Sequence, residues 1–456
     1  MTQTDQAGRK LRFAAVAILS LIGAAEAAGQ STFSESCADA IQNFQNADSS
    51  PCLDRLPTLS TTEQQRIVDD YLINGRTYIA DDKIETLIAD LSTGPALRLR
   101  AVQLGRLAAT RTPGADTAIA DAMEAAEARG DQLAIGYLHY AKAELARIAR
   151  DTEGQRQSLE RAGRIADQEV FPGLQARVFY RSGEALHLEQ RRQSAREILR
   201  KALRTFHKNY DFNGAGDACR LTGYVILRDE AIDDDALRHL TEAALRNDPA
   251  ALPCYLFAAM HRANLHRAGM DEVVRLAQEA MDAAKAQRYV TMNASILNTL
   301  AINAKRNGDY VGAAEYYQDA VDAYEAIGNQ FMVAGISSNM GVLLVELGDT
   351  ETAIEILKRS LSIIEDVAPH RFDGILKSQN QIGKALAKSG RHEDALVWFT
   401  RALRTSESQP FRKFDGLVNA EYAKSLYEVG DQGKALAIAV AAGDSMLEHG
   451  DGSEDL

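Results

Sequence analysis

The residues that could do chemistry are thinly spread. The nine histidines are scattered, and even His261 and His266 lie five positions apart, which puts them on different faces of a helix. No HExxH, GxSxG, phosphate-cradling Gly-rich loop or nucleotide fingerprint occurs. Asp233-Asp234-Asp235 concentrates negative charge but lacks the alternating spacing and distal Glu of a calcium loop. It reads as a solvated turn capping a helix from Ala236. The sequence therefore predicts no enzyme, no cofactor and no metal.

Binding is better served. Between Asp373 and Ser389, Ile375, Ile382 and Leu386 form one apolar stripe of a helix. Lys377, Asn380, Lys384 and Lys388, at i, i+3, i+7 and i+11, share the opposite side. Ammonium groups on one concavity can grip an acidic or C-terminal peptide group, with Asn bonding its backbone. The alternative for the same residues is an ordinary solvated helix face.

The elements that position this face repeat. Leu300-Ala301, Asn307-Gly308-Asp309-Tyr310, Ala313, Tyr317 and Ala320 are followed by Met340-Gly341, Leu347-Gly348-Asp349, Ala353, Leu357 and Ser360. Ile382-Gly383, Ser389-Gly390-Arg391, Ala395, Phe399 and Ala402 repeat the series, as do Tyr422-Ala423, Val429-Gly430-Asp431, Ala435, Ala439 and Ala442. The small residues at 301, 341, 383 and 423 are spaced by 40, 42 and 40, and Ser182-Gly183 with Ala195, Leu199 and Ala202 gives an upstream match. Phe171-Pro-Gly, Phe212-Asn-Gly, Tyr289, Phe331, Phe372-Asp-Gly and Phe414-Asp-Gly keep the same period. Each copy is two helical periods joined by a Gly turn. One such pair cannot bury its apolar face, so pairs must stack.

This series resembles the tetratricopeptide repeat in a variant of about 40 residues, over residues 100–445 and most strongly from 290 onward. The resemblance implies an all-α, right-handed α-solenoid of about eight to nine antiparallel helix pairs, with first helices on the concave side. It also places the Lys377 face inside the groove, by analogy with modules of this family that clamp peptide carboxylates. Asn298, Lys305 and Arg306 occupy matching places two repeats earlier and Lys424 one repeat later, with Val342 and Val345 between. Tyr137, Tyr140, Tyr180, Leu221, Val225 and Leu256 hold the matching places upstream, as groove contacts or as packing between first helices. An interaction scaffold for a protein or peptide is the function implied. The alternative is a sensory module serving a separate membrane signalling protein of diguanylate cyclase or kinase type.

Outside the repeats, Arg9, Lys10 and Arg12 precede the apolar run Phe13–Ala25 and the small-x-small triplet Ala25-Glu26-Ala27. This pattern predicts a signal peptide over 1–27 and a mature chain in the periplasm, or fully secreted. No later stretch approaches 18 uninterrupted apolar residues, so no stable membrane insertion of the mature chain is expected. Residues 28–95 read as a helical cap stapled by Cys37–Cys52, 96–448 as the repeat array and 449–456 as an acidic tail. Cys219 and Cys254, 35 residues apart, are either bonded across neighbouring first helices or free and buried. A net charge of −13 argues against nucleic acid as the partner.

Overall fold

The computed structural model describes residues 56–69, 81–109, 112–209, 211–266, 269–326, 329–367, 372–407 and 415–449. The proposed signal peptide, Cys37, Cys52 and all of the acidic tail after His449 lie outside the described residues. Everything regular within them is helical. Short α1 (Thr61–Ile67) and α2 (Asp81–Asp90) precede nine helix pairs: α3 (Thr93–Ala109) and α4 (Ala115–Arg129), α5 (Gln132–Ala149) and α6 (Thr152–Gln168), α7 (Pro172–Leu188) and α8 (Arg192–Lys208). There follow α9 (Phe212–Leu227) and α10 (Asp234–Asn247), α11 (Leu252–Leu265) and α12 (Met270–Ala286), α13 (Val290–Arg306) and α14 (Tyr310–Glu325). The last three pairs are α15 (Gln330–Leu347) and α16 (Thr350–Val367), α17 (Phe372–Lys388) and α18 (His392–Glu407), α19 (Asp415–Glu428) and α20 (Gln432–His449).

Several of the turns between helices follow from two adjacent residues. At Gly308-Asp309 the glycine takes φ 81° and ends α13, and the Asp309 carboxylate accepts the Gly312 amide at 2.9 Å to cap α14. Gly130-Asp131 does the same between α4 and α5. At Arg150, Val170, Gln190 and Arg288 the left-handed residue is not glycine. Val170 holds φ 57° with its side chain 78% exposed, so its β-branched side chain is strained and packs against little. Val170→Gly is expected to raise stability by about 1 kcal/mol, read as a higher urea midpoint at unchanged slope.

The small residue of each first helix works as a notch. A Cβ on Gly183 would stand 2.6 Å from Leu199, one on Gly341 2.8 Å from Leu357, and one on Gly383 2.6 Å from Phe399. Second helices therefore seat a bulky side chain directly on the first-helix backbone. Along most of the stack the first helices of successive pairs touch one another, so they line its inner face. Ser60 caps α1, closing a capping box with Glu63.

The middle of the stack is irregular. α10 packs chiefly on α11 rather than on α9, and α9 reaches past them to touch α13. Gly216 permits that approach, because a Cβ there would stand 2.5 Å from the Thr291 hydroxyl. Cys219 of α9 and Cys254 of α11 are bonded, with Cα atoms 4.8 Å apart, and both are wholly buried. The open question about this pair is thus settled in favour of the bond. Among the described residues α15 is the one helix long and apolar enough to cross a membrane. It sits inside the stack, paired with α16.

Candidate functional site

The inner face carries two polar regions. The first is the lysine set. α17 is packed by α15, α16, α18 and α19, and this leaves only a narrow strip of it exposed. Ile375, Ile382 and Leu386 are buried as expected. Asn380 is 2% exposed, which corrects its placement on the open face. Its Oδ1 accepts no hydrogen bond among the described residues, and it cannot reach a peptide in the groove without repacking.

Lys377 and Lys384 are half-buried and Lys388 is exposed, with its Nζ donating to the Val345 carbonyl at 2.6 Å. That contact satisfies a C-terminal carbonyl of α15. Lys305 is paired with Glu346 at 2.8 Å and Lys424 with Glu421 at 3.2 Å. Asn298 is half-buried, its Oδ1 accepting from Asn339 at 3.5 Å, and Arg306 is exposed. The set lines one side of the stack but is spent largely on intramolecular contacts.

The second region lies upstream, where α3, α5 and α7 enclose a cavity of ≈ 130 Å³ lined by Arg106, Tyr137, Tyr140, Glu144, Arg177 and Arg181. The Tyr140 ring lies beside Gly105 of α3, 3.6 Å from where a Cβ would stand, which is an ordinary contact. Glu144 is 2% exposed and holds Arg181 Nε at 2.5 Å and Arg147 at 2.9 Å. Arg181 also donates to Glu184 at 2.8 Å, so its guanidinium is fixed by carboxylates on two helices. The Arg177 guanidinium lies 5.9 Å over the Tyr137 ring, and Arg181 lies 5.4 Å over Tyr180.

Burial pushes the Tyr137 and Tyr180 hydroxyls up to about 12, with Arg177 opposing in the first case and Asp217 assisting in the second. Burial and then Glu144 raise Tyr140 further. All three stay protonated at neutral pH, so each hydroxyl can donate as well as accept. Burial also raises Asp217, against Arg220 and Arg181, and it continues the network onto α9.

Sequence reasoning placed Tyr137, Tyr140 and Tyr180 here but missed the charged residues among them. The signal lay in the 40-residue register: 137, 177 and 217 hold Tyr, Arg and Asp, while 140, 180 and 220 hold Tyr, Tyr and Arg. Leu221 is half-buried, and Val225 and Leu256 are buried as packing.

No group of three or more metal-ligating side chains occurs among the described residues. His261 packs on Phe257 at 4.4 Å, and burial pushes it down to about 4, as a neutral core residue. The Asp233 carboxylate accepts the Ala236 amide at 2.8 Å, which makes it the helix cap expected.

Stacked antiparallel helix pairs with small-residue notches and an inner first-helix face define a repeat solenoid. Residues 332–408 match the family model described as tetratricopeptide repeat, so that part of the stack carries repeats of this family. No curated protein matches the chain. Among solved structures it is similar to a signal-transduction ATPase with a tetratricopeptide repeat sensor from Pyrococcus horikoshii, at 12% identity over 82% of this chain and 53% of that one, TM-score 0.47. It is also similar to the apo quorum sensor NprR of B. thuringiensis, at 14% identity over 76% and 97% of the two chains, TM-score 0.39. The TPR-like repeats of a Podosopora anserina kinesin light chain align at 14% identity over 42% and 92%, TM-score 0.36.

Proposed function

We propose that the chain is an exported, non-catalytic scaffold that binds a protein or peptide partner along its first-helix face, with an acidic group of that partner seated between α3, α5 and α7. The observation that carries this reading is the composition of that cavity. Three guanidinium groups, Arg106, Arg177 and Arg181, line it together with the Glu144 carboxylate and the neutral hydroxyls of Tyr137 and Tyr140. Tyr and Arg held rigid in a partly desolvated recess are the residue types that dominate binding energy at interfaces. Export is supported by the Arg9–Ala27 pattern and by the Cys219–Cys254 bond, since such bonds persist in oxidising compartments.

The test is capture from an envelope extract on the immobilised chain, run beside Arg106→Gln/Arg177→Gln and Lys377→Glu/Lys384→Glu/Lys388→Glu variants whose melting temperatures match the parent. A partner retained by the parent and lost, at least tenfold, by the arginine variant alone is the expected result. Loss in the lysine variant alone moves the site to the α13–α17 region. Equal retention by all three places binding off the inner face and overturns the groove reading.

A further inference from the structure

The last helix is built differently from its predecessors. From Ala435 to Gly443, α20 has no polar side chain. Only Ala435 and Ala442 are buried, while Leu436 is 69% and Val440 58% exposed, with Ala437, Ala439, Ala441 and Gly443 also open to solvent. The register that aligns Ala435 with Ala395 sets Val440 and Ala441 where α18 has Thr400 and Arg401. In α18, Arg401 binds Glu365 at 2.5 Å and covers the Trp398 ring at 5.2 Å, a polar outer surface suited to water. In α20 that surface is apolar, and beside it lies a trough of ≈ 550 Å³ lined by Ala423, Tyr427, Ala435, Leu436 and Ala439. A continuous apolar helix face of this kind marks an interface.

We infer that this face is where two copies of the chain associate, their α20 helices antiparallel about Ala439. Charge identifies the occupant. The apolar stretch is bounded by Lys434 at one end and Asp444 at the other, each five residues from Ala439. An antiparallel two-fold about that residue sets Lys434 of each copy at the height of Asp444 of the second copy, so one symmetric arrangement forms both pairs. Within its own chain the Lys434 side chain meets only Tyr422 among the described contacts, its Nζ donating to the hydroxyl at a long 3.4 Å and lying 5.6 Å from the ring centre. The same two-fold lays Leu436 against Gly443 of the second copy, and Val440 against Ala437, a bulky-on-small fit that lets the helices approach closely. Such self-complementarity is what an isologous contact requires. An anionic lipid surface fits worse, because Glu421, Glu428, Asp431 and Asp444 outnumber Lys424 and Lys434 around the patch. The face is small, so the dimer is weak, with a dissociation constant on the order of micromolar. It is remote from the α3–α7 cavity, and its test is independent of the groove reading.

Sedimentation equilibrium of the purified chain between about 1 and 100 µM decides the matter. Concentration-dependent dimerisation is expected. Leu436→Glu, which keeps the helix but charges the seam, should remain monomeric throughout. Lys434→Asp and Asp444→Lys should each weaken association about tenfold, by setting like charges opposite one another. The double variant should recover to within about threefold of the parent, because both pairs re-form with reversed sign. Three results each overturn the inference: a parent that is monomeric throughout, association that Leu436→Glu leaves unchanged, or a double variant no tighter than the singles. Circular dichroism on each variant confirms that the helices are intact.

Discussion

Phe399→Ala is expected to destabilise the chain by about 3–5 kcal/mol, and the loss should be local to the C-terminal pairs. Phe399 is wholly buried, with its ring seated on the backbone of α17 at Gly383. Removing it empties the notch that joins α17 to α18, and α19 and α20 then stack on a loosened neighbour. Each pair of a solenoid is stabilised by its neighbours, so urea unfolding should split into an early step for residues beyond α17 and a later one for the rest. The notch supplies a cycle. Gly383→Ala alone drives a Cβ to 2.6 Å from the Phe399 ring and is expected to cost about 1–3 kcal/mol. In the Phe399→Ala background the same change fills space and favours helix by about 1 kcal/mol. The two substitutions should therefore couple by about 2 kcal/mol or more, read from urea midpoints of the four proteins. Additive costs would mean that the notch does not set the spacing of this pair.

That notch was legible in the sequence, and so was most of the stack. Gly183, Gly341 and Gly383 recur in register with Leu199, Leu357 and Phe399, and this pairing of small and bulky residues survives any uncertainty about helix ends. Gly308, Gly348, Gly390 and Gly430 all hold positive φ at the turns where the pattern required it. What the pattern could not give was how many sides of a first helix are covered. Reading α17 as one apolar stripe opposite one polar face set Asn380 in the open, because a wheel assumes one packing surface. A first helix in a stack packs on its own partner, on the preceding second helix and on flanking first helices, so its open strip is narrow. The Arg106–Arg181 cavity was hidden for a related reason. Arginines and glutamates are the ordinary currency of solvated helices, and only their stacking across 40-residue steps turns Glu144, Arg177 and Arg181 into a partly buried network. The displacement of α10 left no sequence mark beyond Gly216 and the two cysteines.

The cysteines carry the other large effect. Cys219→Ala/Cys254→Ala is expected to cost about 4 kcal/mol, the chain-entropy value for closing a loop of 35 residues. The cost should exceed that of a disulfide in a regular repeat, because α9 lacks its own second helix as a support. α10 has moved onto α11, and α9 is held by α8, by α13 at Gly216 and by α11, where Phe257 packs on Gly223 and Tyr224 beside the bond. Without the bond α9 loses a covalent hold beside Asp217 and Arg220, which continue the Arg181 network. Amide exchange should then accelerate first in α9 and α11 while α17 and α18 keep their protection. Capture of a groove partner should weaken in the same variant, although no residue lining the α3–α7 cavity has changed. Reduction of the parent under mild urea should reproduce both effects, since both sulfurs are wholly buried and exchange requires local opening. Unchanged exchange in α9 after loss of the bond would show that packing by α8, α11 and α13 fixes the middle of the stack without it.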